Sequence, residues 1–343
     1  MACRRVVLAA LLWLVPALLL GACRRGDGSA SAPDVPRPAC DASSVETLMR
    51  CVEKERWADD LAFVAQPRSP GSKHWQAVQD LCAARFAEHG YTVERHDYGT
   101  GINVLGVRAG ESPEQVVVSA HYDHIPGCSG ADDNASGVAG VLETARVLAA
   151  GRWRRTLVVA CWDQEEDGMI GSRAWAARAR ERGEAIAAAF IYEMIGFRVD
   201  APDSQRLPPG SELVFPAVVA GIAERGNRGD FLAAIGDSGS HEALAAFERR
   251  AGAVELPVVT LALSPLLQRA AAAADLDRSD HSAFWRNDYP GIMLTDTADF
   301  RNPHYHCEFG EDAAETLDAD FAARTVRATV GAAAELLGAG SRG

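Results

Sequence analysis

Beyond residue 39 the 343-residue chain lacks a second apolar run of signal-like or transmembrane length, so no helical membrane span is expected there. It also lacks an internal repeat, which excludes a solenoid or propeller assembled from copies of one unit. Positive charge is scarce relative to negative: 34 Lys and Arg face 47 Asp and Glu, a formal net charge of −13. That balance argues against nucleic acid or an anionic membrane surface as a partner. It suits a substrate with a free amine, although a solvated acidic face is the commoner meaning of such a charge.

What is present begins with an address. Arg4 and Arg5 precede an almost wholly apolar run over 6–20, closed by Leu20-Gly21-Ala22-Cys23. The run is short for a membrane span and suits the core of a signal peptide. Leu-Gly-Ala-Cys resembles the lipobox of bacterial lipoproteins, which implies that Cys23 becomes the lipid-bearing first residue of the mature chain. Residues 24–39, rich in Arg, Gly, Ser, Ala and Pro, have the composition of a flexible tether. The expected organisation is a lipoprotein signal peptide over 1–22, a lipid-anchored tether over 23–39 and one domain over 40–343, exported to the cell envelope. About 300 residues suffice for a large single core.

Six cysteines then remain, an even number that an oxidising compartment can pair. Cys40 and Cys51 form a plausible local pair. Cys128 follows His121 by seven residues and Cys307 follows His306 directly, so both are expected at the rim of one site, with a bridge between them. Cys82 and Cys161 read as small apolar fillers.

Periodicity predicts helices over 45–64, 74–89, 134–149, 172–182, 242–250, 282–285 and 313–337, and strands over 92–97, 102–107, 116–120, 156–162, 187–192, 258–261 and 292–295. Strands alternating with helices point to an α/β fold, a three-layer sandwich with a central mixed, largely parallel sheet. In such sheets ligand sites lie outside the carboxyl ends of the strands. His121, Glu165, Glu166 and Glu193 close three of the apolar runs.

Five separated stretches carry side chains able to hold a pair of divalent metals: His121-Tyr122-Asp123, Asp132-Asp133-Asn134, Glu165-Glu166, Glu193-Met194-Ile195-Gly196 and Tyr305-His306. On an extended segment i and i+2 share a face, so Asp123 is expected to accept the second ring N–H of His121. Standing alone, that pair would be a satisfied structural histidine. Asp132-Asp133-Asn134 reads as a loop entering a helix with Asn134 as N-cap, and a carboxylate held there can span two cations. Adjacent acids point to different sides, so one of Glu165 and Glu166 can ligate while the other faces water. On these residues alone a solvated acidic loop competes with that reading. His124 is expected at the rim.

These stretches, with Glu-Glu-Asp-Gly-Met-Ile-Gly-Ser-Arg-Ala-Trp, Ser-Asp-His-Ser-Ala-Phe-Trp and Arg-Asn-Pro-His-Tyr-His, closely resemble the co-catalytic di-zinc aminopeptidases of peptidase family M28, from about residue 70 to 338. The resemblance implies two Zn2+ ions: His121 and Glu193 on one, Glu166 and His306 on the other, Asp133 bridging and Glu165 as general base. It implies peptides with a free N-terminus as substrates. His304 competes with His306, and the family pattern favours His306. Tyr305 stands where some relatives carry a tyrosine that donates to the oxyanion, with packing beneath the site as the other reading. Glu193 replaces the Asp of the best-known members, and Asp280 and His281 are expected to line the pocket or support the ligands. Three other readings remain: a single-zinc glutaminyl cyclase, a carboxypeptidase or deacylase, and an inactive surface binding module.

Overall fold

Runs of Val, Ala and Ile without polar alternation form strands buried on both faces, and these set the architecture. The computed structural model describes residues 40–268 and 271–340. The expected signal peptide and tether lie outside the described residues. Strands β1 (Thr92–Asp97), β2 (Ile102–Arg108), β3 (Ser112–His121), β4 (Arg155–Trp162), β5 (Ile186–Glu193), β6 (Leu232–Asp237), β7 (Val258–Leu263) and β8 (Gly291–Thr295) make one sheet in the order β1-β2-β4-β3-β5-β8-β6-β7. The centre, β4-β3-β5-β8, is parallel throughout, while β1–β2, β2–β4 and β6–β8 pair antiparallel. The mixed, centrally parallel sheet is the expected one.

The helices are α1 (Val45–Arg50), α2 (Lys54–Val64), α3 (Lys73–Glu88), α4 (Gly137–Leu148), α5 (Ile170–Glu181), α6 (Ser211–Val214), α7 (Pro216–Glu224), α8 (His241–Ala253), α9 (Pro265–Gln268), α10 (His281–Trp285) and α11 (Ala319–Leu337). One face of the sheet, through Val116, Val118 and Phe190, packs on Trp57, Phe86, Val138, Phe247 and Phe321 of α2, α3, α4, α8 and α11. The other, through Val117, Val158 and Trp162, packs on Trp175 of α5 and Phe284 of α10. Each such side chain withdrawn from water contributes about 1.5–3 kcal/mol. Among the described residues no helix is long and apolar enough to cross a membrane.

Several elements depart from the expectations. The helix expected over 45–64 breaks into α1 and α2 at 51–53, where Cys51 bonds to Cys40. The closing helix begins only at Ala319, capped by the Asp318 carboxylate. Strand β6 and helices α6 and α7 were not expected. Leu-Ala-Ala-Ile-Gly-Asp has one β-branched residue, and the stretch before α7 is punctuated by Pro208, Pro209 and Gly210. The other expected bridge, Cys128–Cys307, is present, and Cys82 and Cys161 are buried free thiols.

Candidate metal centre

The parallel strands deliver ligands to one edge. His121 is the last residue of β3 and pairs in register with Trp162, three residues before Glu165; Glu193 is the last of β5 and pairs with Thr295. His121 Nε2 lies 3.3 Å from Asp133 Oδ1 and 3.5 Å from Glu193 Oε2. His306 Nε2 lies 3.2 Å from Asp133 Oδ2 and 3.1 Å from Glu166 Oε2. Asp133 thus turns one oxygen to each group. Donors bound tetrahedrally at about 2.0–2.2 Å stand roughly 3.3 Å from one another, and these four distances match that spacing.

The donor atoms also fit a cation by what they lack. His121 Nε2, Asp133 Oδ1 and His306 Nε2 are buried without a hydrogen-bond partner, a costly state unless something else satisfies them. Burial, then the carboxylates of Glu193, Asp280 and Glu166, push the Glu165 carboxyl well above its usual range against the opposing pull of His121. Divalent cations would relieve this crowding of buried acids.

The expected His121–Asp123 pair takes another form. The chain leaves the extended conformation after His121, so the Asp123 carboxylate stops 3.6 Å from Nδ1, too far for a hydrogen bond. It accepts instead from the backbone N–H of Glu165 (3.0 Å) and Glu166 (3.2 Å), holding the acidic pair in place. Asn134 does cap: Oδ1 accepts from Gly137 N at 3.1 Å and, across the sheet, from Met194 N at 3.1 Å.

Neighbouring residues divide sharply. Ser279 donates to Glu193 Oε2 at 2.5 Å, a support for the longer carboxylate that sequence did not single out. Asp280 is fully buried facing the ligands, its carboxyl pushed up to about 7 by burial against the pull of His121. His281 joins neither donor group. Its Nε2–H donates to Leu276 O at 2.8 Å, its ring meets Trp285 edge-on, and burial lowers it to about 4. His304 belongs to neither donor group among the described residues. Tyr305 stacks on His306 with ring centroids 3.9 Å apart, and its hydroxyl accepts from Arg278 Nη2 at 3.3 Å. His124, expected at the rim, is fully buried, because the chain turns inward after β3.

Two supports were missed altogether. Arg68, fully buried, donates Nε to Tyr122 O at 2.8 Å, Nη1 to Ser129 O, and Nη2 to Gly130 O at 2.8 Å and Asp133 O at 3.1 Å. Asp312 accepts from the backbone N–H of Asp132 and Asp133, each at 3.0 Å. These four partners of Arg68 lie 54–65 residues away in sequence, so only the Pro-Arg-Ser-Pro setting marked it, and that reads as a turn.

A cavity of about 130 Å³ opens from Asp133, Glu165, Glu193 and Tyr305 and runs between β6, β7 and α7 over Leu207, Phe215, Ile222, Phe231, Leu261 and Met293. A dry apolar cavity of about 150 Å³ holds a benzene ring.

With the site described, its likeness to known proteins is informative. A protein of Escherichia coli, YfbL, uncharacterized, is 32% identical over 209 residues, which cover 56% of this chain and 58% of that one. Leucine aminopeptidase 1 of Ajellomyces dermatitidis is 26% identical over 258 residues, 71% of this chain and 58% of that one. The chain thus spans a little over half the length of these relatives. In fold it is similar to the LapA aminopeptidase of Legionella pneumophila (TM-score 0.64, 17% identity, 90% of this chain and 78% of that one). It is also similar to the glutaminyl cyclase of Porphyromonas gingivalis (TM-score 0.59, 17% identity, 82% and 98%). Residues 103–333, which hold every candidate ligand, match the family model throughout, and the chain belongs to peptidase family M28.

Proposed function

We propose that the chain is a two-zinc aminopeptidase that removes bulky apolar residues from the N-terminus of peptides, with Glu165 as general base. The observation that carries it is Asp133, whose two oxygens face two separate donor groups. Residues His121, Asp133 and Glu193 would hold one zinc, and Asp133, Glu166 and His306 the other. The chemistry such ions supply when bound is Lewis acidity, which acidifies water and polarises a carbonyl.

The chain's own residues do the rest. Glu165, held by Asp123 through its backbone, takes the proton of the attacking water on its carboxylate and returns it to the leaving amine. The Tyr305 hydroxyl accepts from Arg278, which leaves its own proton free to donate to the carbonyl oxygen as charge develops there. The substrate's free amine would sit beside Glu193 in the cavity lining. The apolar cavity takes a side chain of leucine or phenylalanine size.

A panel of aminoacyl nitroanilides tests this: cleavage of leucyl and phenylalanyl substrates far above glycyl and aspartyl ones, abolished by a chelator and restored by zinc, is expected. Ring closure of N-terminal glutamine peptides with one zinc per chain would favour the cyclase reading. We further propose that the protein is a lipid-anchored lipoprotein of the cell envelope, attached through Cys23. The two disulfides support export to an oxidising compartment. Labelling with a radioactive fatty acid, lost in Cys23→Ala, is the expected result.

A further inference from the structure

Most of the wall of the cavity beside the metal centre is apolar, and its two basic residues are Arg206 and Arg278. A leucine or phenylalanine side chain gives a guanidinium nothing to bind. Both basic residues gather at Asp299, where Arg278 Nη1 lies 3.1 Å from Oδ1 and Arg206 Nη2 donates to the backbone carbonyl. Asp275 Oδ1 stands 3.5 Å from the same Nη1. Two carboxylates thus meet two guanidiniums, and their charges cancel.

Arg278 keeps donors to spare. Nη1 faces the two aspartates and Nη2 donates to the Tyr305 hydroxyl at 3.3 Å, while among the described residues Nε makes no hydrogen bond. The side chain is 42% exposed, so its remaining N–H groups are open to a ligand. A guanidinium held in place with free donors is suited to a carboxylate. Its position fixes which carboxylate. With Tyr305 donating to the scissile carbonyl oxygen at an ordinary length, Nη2 lies within about 6 Å of that oxygen. One residue of extended chain spans about 3.5 Å, so the terminal carboxylate of a dipeptide falls inside that radius, and that of a tripeptide, about 7 Å on, falls outside it.

We propose that Arg278 receives the C-terminal carboxylate of a dipeptide, which makes dipeptides with an apolar N-terminal residue the preferred substrates. The assignment rests on the aminopeptidase reading and narrows it. Both ends of such a substrate are charged: its amine sits beside Glu193 and its carboxylate meets Arg278, on the walls of one cavity. A longer peptide offers Arg278 a neutral amide in that place, and the charge-assisted bond is lost.

The test compares leucylglycine with leucylglycinamide, which differ in the terminal charge, on the zinc-loaded full-length protein. The free dipeptide is expected to exceed the amide at least about tenfold in kcat/KM, the worth of one hydrogen bond to a charged group, and the gap should shrink as salt is added. Arg278→Gln removes the charge and weakens the hold on Tyr305, so both rates should fall and their ratio should approach one. Equal rates for dipeptide and amide in the wild-type protein would overturn the assignment, and that measurement requires no variant to fold. So would a variant in which both rates fall and the ratio is kept, since Arg278 would then act on Tyr305 alone. A zinc-loaded protein that cleaves neither substrate nor leucyl nitroanilide would defeat the aminopeptidase reading itself, and this assignment with it.

Discussion

On one side of the centre the donors close strands: His121 ends β3 and Glu193 ends β5, both fixed by the ladder of the parallel sheet. On the other side Glu166 and His306 come from connections. The backbone of His306 and of Cys307 is left-handed, at φ 54° and 57°, a conformation that costs each of these non-glycine residues about 1–2 kcal/mol. That side is fastened by the Cys128–Cys307 bridge, which joins segments 179 residues apart, and by Asp312. The sheet holds its ligands as part of folding. The loops need a covalent link to do so.

Four experiments break or sharpen this contrast. Glu165 belongs to neither shell, so Glu165→Gln should leave both zincs in place while turnover falls by about 10²–10⁴-fold; metal analysis beside kinetics checks it, and near-normal activity removes the base assignment. Next in size, the double variant Cys128→Ala, Cys307→Ala should cost about 2–5 kcal/mol in denaturant unfolding. Titration with a chelator should strip the loop side first, and equal loss from both sides would erase the contrast.

A third test concerns the apolar cavity beside Glu193. Leu261→Ser puts a hydroxyl on the cavity wall, and the preference for leucyl over glycyl substrate should narrow by about tenfold in kcat/KM. The smallest effect is expected from Glu193→Asp. It removes the reach to Ser279 and should change zinc affinity on the strand side by less than about tenfold, leaving the loop side untouched in competition titrations.

The same contrast governs what the sequence disclosed. Strand ends were readable because a buried apolar run followed by His or Glu states both place and chemistry, so the carboxyl ends of β3, β4 and β5, near which His121, Glu165, Glu166 and Glu193 stand, were found to within one residue, although β3 starts four residues earlier than expected. On the loop side Glu166 was readable because it follows β4 closely, whereas His306 needed a family pattern. His124 was misplaced because the i, i+2 rule stops where β3 stops. Arg68 and Asp312 act through backbone atoms of remote segments, and that kind of partnership leaves no trace in residue type. Strand β6 escaped because Ala233 and Ala234 carry little strand preference, although their neighbours on β8 bury them.

Arg68 carries one more consequence. Its guanidinium bonds are made to carbonyl oxygens, and none depends on a cation being present. With Asp312 gripping the same turn, the loop that bears Asp133 is shaped by the chain itself. The protein is therefore built as a socket that keeps its form when emptied, so that scarcity of metal would idle the molecule without unfolding it, and returning metal would find its seat ready.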